Sequence, residues 1–136
     1  MRYLLDTDTL SGLMRSAPLP VLLRRIAAVP PAEQATSSIT LGELLYGAHR
    51  LGDRGAALLD RIADLVTANL VVFPFDEHAA REYSVLRARL EQDGTPISDA
   101  DMRIASIALA HDLTIVTGNI RHFERVPGLS VENWLA

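Results

Sequence analysis

Arg2-Tyr-Leu-Leu-Asp-Thr-Asp8 opens the chain with a short apolar run that ends in two carboxylates. A run without polar alternation is typical of a strand buried on both faces, as in parallel sheets covered by helices. In such sheets the ligand crevice lies beyond the carboxyl ends of the strands. The segment therefore predicts the layering of the molecule, and it predicts the edge at which functional side chains lie.

The rest of the chain alternates similar runs with helical patterns. Further strands are predicted at 35–39, 70–73, 113–117 and 130–134. Helices are predicted at 7–15, 21–29, 40–51, 56–68, 76–92 and 98–111. This alternation predicts an α/β fold in one domain spanning residues 1–136. Its architecture is a three-layer sandwich, a short parallel sheet flanked by helices on both faces.

The composition excludes several classes of protein. The chain has 136 residues and no cysteine, so disulfide scaffolds, thiolate zinc sites and cysteine nucleophiles are excluded. No stretch is long and apolar enough for a signal peptide or a membrane span, and we expect a cytoplasmic protein. The net charge of −4 argues mildly against nucleic-acid binding. All thirteen basic residues are arginines, which disfavours enzymes that need a lysine but leaves bidentate phosphate contacts available.

Acidic and amide side chains occur just after predicted strands or at predicted helix starts. We expect them at one edge of the sheet, where carboxylates without basic partners repel each other and need a counter-ion. Mg²⁺ or Mn²⁺ takes oxygen ligands and would convert an acidic cluster into a phosphate-binding site. A nucleic-acid substrate is then compatible with the negative net charge. The residues are Asp6, Asp8, Glu43, Asp99, Asp101 and Asn119.

Each of these residues also has a purely structural interpretation. Asp6 can cap the helix that follows it, and Asp8 can favour that helix through its dipole. Thr40-Leu-Gly-Glu43 fits a capping box, and Ser98-Asp-Ala-Asp101 nearly does. Spacing alone leaves these alternatives open.

Four segments in this order resemble the PIN-domain ribonucleases, and among them the VapC toxins of bacterial toxin–antitoxin pairs. The tail at 126–134 is also similar to the end of that family. The segments are Leu4-Leu-Asp-Thr-Asp8, Ser38-Ile-Thr-Leu-Gly-Glu-Leu-Leu-Tyr-Gly47, Ile97-Ser-Asp-Ala-Asp-Met-Arg-Ile-Ala105 and Val116-Thr-Gly-Asn-Ile-Arg-His-Phe123.

The resemblance implies a PIN fold that cleaves RNA with Mg²⁺ or Mn²⁺. The implied catalytic residues are Asp6, Glu43 and Asp101. The implied metal ligands are these three with Asn119, and we infer that Asp99 compensates for the neutral Asn119. In the mechanism we hypothesise, a water oriented by a carboxylate attacks the phosphorus and leaves a 5′-phosphate and a 3′-hydroxyl. The candidate substrate contacts are Arg15, Thr117 and Arg121, with Arg50 and Arg103 as further candidates for the RNA backbone.

The resemblance also implies partners. These are an RNA substrate, a second copy of the chain in a homodimer, and a VapB-type antitoxin that obstructs the acidic groove with a basic side chain. We expect the dimer and antitoxin surfaces around 44–48 and 58–66, where the helices are strongly apolar.

Two other functions stay open at this point. The first is a haloacid dehalogenase-like phosphatase, in which Asp6 is the nucleophile and Asp8 the acid/base. The missing lysine argues against it. The second is a non-catalytic PIN module that binds RNA or a protein, which the neutral Asn119 favours. The four histidines, His122 among them, are predicted to be ordinary surface or core residues.

Overall fold

The computed structural model describes residues Met1–Ala136 and contains one five-stranded parallel sheet of order β3-β2-β1-β4-β5. The strands are β1 (Tyr3–Leu5), β2 (Gln34–Ser37), β3 (Val71–Phe73), β4 (Thr114–Val116) and β5 (Val131–Glu132). The helices are α1 (Thr7–Leu13), α2 (Pro20–Ala27), α3 (Ser38–His49), α4 (Ala56–Ile62), α5 (Glu77–Asp93), α6 (Asp99–His111) and α7 (Ile120–Phe123). After α4 the chain continues in a wider π-type turn over Ala63–Thr67. The predicted α/β fold is confirmed.

Both faces of the sheet are buried, as the apolar strand pattern predicts. Leu4 and Ile115 point to one face, where they pack with side chains of α5, α6 and α7. Leu5 and Val116 point to the other face, among side chains of α1 to α4. Successive residues of a strand face opposite sides of a sheet, so a run that is apolar throughout serves two cores. The three-layer arrangement is therefore confirmed.

The start of α3 differs from the prediction. Ser37, the last residue of β2, caps the helix, and its hydroxyl accepts a hydrogen bond of 3.0 Å from the Thr40 N–H. The predicted capping box at Thr40 is wrong, because Thr40 already lies inside the helix. Glu43 consequently lies in the second helical turn and is free of any capping role. At α6 the predicted cap is correct, since the Ser98 hydroxyl accepts from the Asp101 N–H at 3.1 Å.

The apolar helix faces that we expected to bind partners are mostly used inside the protein. Leu44, Ala48, Ile62 and Val66 all belong to the core between the sheet and α1 to α4. That location for a dimer or antitoxin surface is wrong for these side chains, because a layer of four helices needs them for its own packing. None of the helices combines the length and the apolar character needed to cross a membrane.

Candidate active site

The carboxyl ends of β1 and β4 lie side by side, and an open cavity of about 520 Å³ begins there. Asp6 follows β1 directly, and its N–H donates to the Val116 carbonyl at 2.9 Å. The cavity is lined by Asp6, Asp8, Glu43, Asp101 and Asn119, together with Arg15 at its rim. Residues up to 113 positions apart thus converge on one space, as the topology predicts. Five of the six acidic and amide residues singled out from the sequence are brought together.

Asp6 is the most perturbed of these carboxylates. It is only 6% exposed, and its Oδ2 accepts a hydrogen bond of 2.8 Å from the Thr117 hydroxyl. Burial raises the pKa of Asp6 to about 6, and repulsion from Asp8 and Asp101 adds to the effect. The hydrogen bonds from Thr117 and from the Thr7 backbone lower the pKa but do not restore it. Asp6 is therefore a carboxylate that a nearby cation would stabilise in its charged form.

Asp8 leans toward the loop that follows β4. Its Oδ2 accepts a hydrogen bond of 2.8 Å from the Gly118 N–H, and its Oδ1 lies 3.3 Å from the Thr117 hydroxyl. A Cβ on residue 118 would lie 2.8 Å from that same Oδ2, so Gly118 permits the close approach. Helix-dipole stabilisation and a place in the cavity are compatible for Asp8.

Glu43 reaches the cavity from α3. Its Oε1 accepts a hydrogen bond of 2.8 Å from the Thr7 hydroxyl at the start of α1. The contact joins the helix that follows β2 to the helix that follows β1. Glu43 is thus held on the part of the cavity wall that α3 forms.

Asp101 and Asn119 both contact His122 on α7. Nδ1 of His122 lies 2.8 Å from the Asn119 side-chain nitrogen and 3.3 Å from Oδ2 of Asp101. The sequence predicts an ordinary surface or core histidine at position 122 and does not predict its contact with these two cavity residues. Its spacing of three residues from Asn119 was the available signal, because residues i and i+3 of a helical turn are neighbours.

Asp99 does not join the cavity. Its Oδ1 accepts a hydrogen bond from the Tyr83 hydroxyl, and its Oδ2 pairs with Arg103 Nε at 2.7 Å. Both contacts lower the pKa of Asp99, and the hydrogen bond from Tyr83 has the larger effect. Two residues apart on a helix, Asp99 and Asp101 point to different sides. The predicted compensation for Asn119 by Asp99 is therefore wrong, and Arg103 is engaged away from the cavity.

The three candidate substrate contacts lie in different places, and not all of them line the cavity. Thr117 is fully buried, with its hydroxyl on Asp6, so it positions a carboxylate and cannot reach substrate. Arg121 is exposed on α7 and is not among the residues that line the cavity. Of the three, only Arg15 lines it.

The donors fit a hard cation in their chemistry, since all are carboxylate or amide oxygens around a buried carboxylate that is costly to ionise. The Glu43 carboxylate is hydrogen-bonded to Thr7, and the Asp8 carboxylate to Gly118. No three histidine or acidic side chains lie close enough together to hold one ion. Mutual repulsion is the physical reason for such spreading.

The short parallel sheet and the acidic cavity at its carboxyl edge agree with the PIN fold that the sequence resemblance implies. The PIN domain family model matches residues 3–129, and the chain belongs to this family. Within the family it groups with the VapC proteins. It is 33% identical to the tRNA(fMet)-specific endonuclease VapC of Salmonella typhimurium, over 98% of both chains. It is 30% identical to ribonuclease VapC2 of Haemophilus influenzae, over 99% of both. The DNA-bound VapBC structure of Salmonella typhimurium superposes with a TM-score of 0.90 at 33% identity, covering 98% of each chain. The resemblance stated from the four segments is confirmed.

Proposed function

We propose that the chain is a metal-dependent endoribonuclease of the VapC kind, a toxin that its antitoxin neutralises. The observation that carries the proposal is the convergence of Asp6, Glu43 and Asp101 on one open cavity. The names of the VapC relatives support RNA as the substrate. The proposed place of action is the cytoplasm.

Asp6 and Asp101, with Glu43 and Asn119, are the residues that would hold Mg²⁺ or Mn²⁺. When bound, such an ion supplies positive charge at the transferring phosphoryl group and makes water a better nucleophile. Asp6 is prepared for this by the Thr117 hydroxyl, which fixes the direction of its carboxylate. His122 contacts both Asp101 and Asn119 through Nδ1, which donates to the Asp101 carboxylate in one tautomer and accepts from the Asn119 amide in the other.

Glu43 is the carboxylate best placed to orient the attacking water and to take its proton. It is exposed, it lines the same cavity as Asp6, and it comes from a different helix. Arg15 on the rim provides the positive charge for an RNA phosphate next to the site.

The proposed protein partners are a VapB-type antitoxin and a second copy of the chain. The solved VapBC complexes of related chains support the antitoxin. A basic side chain inserted among the carboxylates would satisfy the charge that otherwise calls for a cation. This accounts physically for inhibition by occupation of the cavity.

The phosphatase alternative is not proposed. The chain has no lysine to hold a transferred phosphate, and Glu43 would have no role although it lines the same cavity.

The test uses the purified protein, free of antitoxin, with a total transfer-RNA fraction as substrate. We expect cleavage with Mg²⁺ or Mn²⁺, none in EDTA, and 5′-phosphate ends when the products are sequenced. Asp6→Asn should remain folded and lose cleavage. Binding of RNA in EDTA with no cleavage on adding either ion would replace the proposal by a non-catalytic RNA-binding module.

A further inference from the structure

A second depression continues directly from the acidic cavity. It has a volume of about 310 Å³ and shares Thr7, Ser11, Arg15 and Glu43 with the cavity. It runs between α1 and α3 over a floor made by α4. We call it the α1–α3 groove, and it is lined further by Met14, Leu44, Gly47, Arg50, Leu51, Leu58 and Ile62.

Two helical stripes form the walls of the α1–α3 groove. On α3 the stripe is Glu43, Gly47 and Arg50, spaced i, i+4 and i+7, which places them on one face. On α1 the facing stripe begins with Thr7 and Ser11. The hydrogen bond from the Thr7 hydroxyl to Glu43 fixes the end of the groove that opens into the cavity.

Small residues keep the groove open one helical turn from Glu43. A Cβ built on Gly47 meets no atom within 4 Å, so a side chain there would stand in open space within the groove. Ser11, a small side chain of α1, also lines the groove. The width of the groove beside the acidic site therefore depends on Gly47 lacking a side chain.

The α1–α3 groove combines an apolar floor with positive charge. Leu44, Leu58 and Ile62 contribute to the floor. Arg15 and Arg50 are both exposed, and neither side chain forms an ion pair. Two unpaired guanidinium groups over an apolar surface suit a ligand with a flat apolar body and an anionic group. They disfavour the basic segment that the acidic cavity alone would attract.

We propose that the α1–α3 groove binds the nucleotide next to the scissile phosphodiester. Its base lies against the apolar floor, and its phosphate lies between Arg15 and Arg50. Single-stranded RNA offers such unstacked bases, whereas a duplex does not. This inference rests on the proposed function, because it assigns part of the same substrate.

The test compares two variants with matched controls. Gly47→Leu fills the groove, and Gly42→Leu is its control, because Gly42 lies on the same helix, has equally open space and lines neither depression. Arg50→Ala removes charge without adding volume. Its control is Arg54→Ala, since Arg54 is exposed and lies outside both depressions.

Three quantities are measured on each protein. They are cleavage of a total transfer-RNA fraction, anisotropy of a fluorescein-labelled ten-nucleotide single-stranded RNA in EDTA, and Mn²⁺ affinity by calorimetry. For Gly47→Leu and Arg50→Ala we expect KM and the RNA dissociation constant to rise about tenfold, as loss of one base or phosphate contact produces. We expect kcat at saturating RNA to change less than about twofold, since the contacts lie outside the reacting group. Mn²⁺ affinity and both controls should match the parent.

The outcomes separate the two proposals. A parent protein that neither binds nor cleaves RNA overturns the proposed function. A parent that cleaves while both groove variants keep its KM overturns the nucleotide site alone. If those variants instead release a co-expressed antitoxin, the groove binds a protein segment and the inference is wrong.

Discussion

The Thr117 hydroxyl donates a hydrogen bond of 2.8 Å to Oδ2 of Asp6, joining two residues that stand 111 positions apart in the chain. The contact exists because β1 and β4 are neighbours and both end at the same level of the sheet. It lowers the pKa of a carboxyl group that burial and neighbouring carboxylates raise. The sheet thereby fixes both the direction and the ionisation of the residue on which the proposed chemistry depends.

Asp6→Asn should stabilise the metal-free protein at neutral pH. The pKa of Asp6 is about 6 in the folded protein against 3.8 for an unperturbed aspartate, so unfolding favours ionisation. Its stabilising contribution is complete below pH 3.8 and is lost as the pH rises through 6. At pH 8 the parent should be less stable than the variant by up to about 3 kcal/mol.

Urea unfolding of both proteins in EDTA between pH 4 and 8 measures this difference. The gap should narrow as the pH falls toward 4, where Asp6 is protonated in the folded state and close to its midpoint in the unfolded state. Equal stabilities across the whole range would show that Asp6 is not perturbed in the way its burial indicates.

Thr117→Val should weaken Mn²⁺ binding by about tenfold or more. Valine keeps the shape of threonine but removes the hydroxyl, so a buried carboxylate loses a hydrogen bond worth about 1.5–3 kcal/mol. The pKa of Asp6 should rise further above 6, because this hydrogen bond opposes the effect of burial. Calorimetric titration with Mn²⁺ gives the affinity, and carboxyl NMR gives the pKa.

Thr117→Ser is the matched control, since it restores the donor at the cost of one methyl group. Its Mn²⁺ affinity should return to within about threefold of the parent. A serine variant as weak as the valine variant would assign Thr117 to packing alone.

Much of the fold could be predicted because its strands are apolar on both faces. The runs at Leu4–Leu5 and Ile115–Val116 leave no alternative to a sheet covered on two sides. Asp6 and Asn119 could be assigned to the site edge for the same reason, since each follows such a strand. Glu43 and Asp101 are harder to assign, because a helix start permits a capping interpretation, which the observed cap at Ser37 removes for Glu43 only.

The errors share a physical origin in contacts between distant elements. Asp99 was expected at the metal site, but Tyr83 on α5 holds it on the other side of α6. The contact of His122 with Asp101 is not predicted, because nothing in its local pattern indicates that Asp101 lies beside it. The start of α3 was placed at Thr40 because Ser37, three residues earlier, serves both as strand end and as cap. Local sequence does not encode which element packs alongside.

Gly55→Ala should destabilise the protein strongly, independently of any function. A Cβ at this position would lie 2.0 Å from the Ala48 carbonyl oxygen, so the start of α4 would have to move away from α3. Overpacking of this kind costs about 1–3 kcal/mol and here involves rigid backbone. Gly42→Ala, with open space around it, should instead stabilise α3 by about 0.5–1 kcal/mol. Thermal unfolding of both variants measures the contrast, and equal effects would contradict the close helix approach.

Asp99→Asn and Asp101→Asn should behave differently although the two residues are separated by one position. Asp101 lines the cavity and raises the pKa of Asp6 by repulsion. Its replacement should therefore weaken Mn²⁺ binding at least about tenfold, since a charged ligand is lost. In the metal-free protein it should also lower the pKa of Asp6. Asp99→Asn should change neither quantity, because its carboxylate faces Tyr83 and Arg103.

The stability of Asp99→Asn should also stay close to that of the parent. Its ion pair with Arg103 joins side chains that are 52% and 40% exposed, and exposed pairs contribute about 0–1 kcal/mol. Calorimetric titration with Mn²⁺ and carboxyl NMR of Asp6 distinguish the two variants without measuring cleavage. An Asp99→Asn protein that binds Mn²⁺ as weakly as Asp101→Asn would mean that the ion draws Asp99 away from Arg103. The acidic set would then extend along α6, and the neutral Asn119 would have the charged neighbour that the sequence alone suggests.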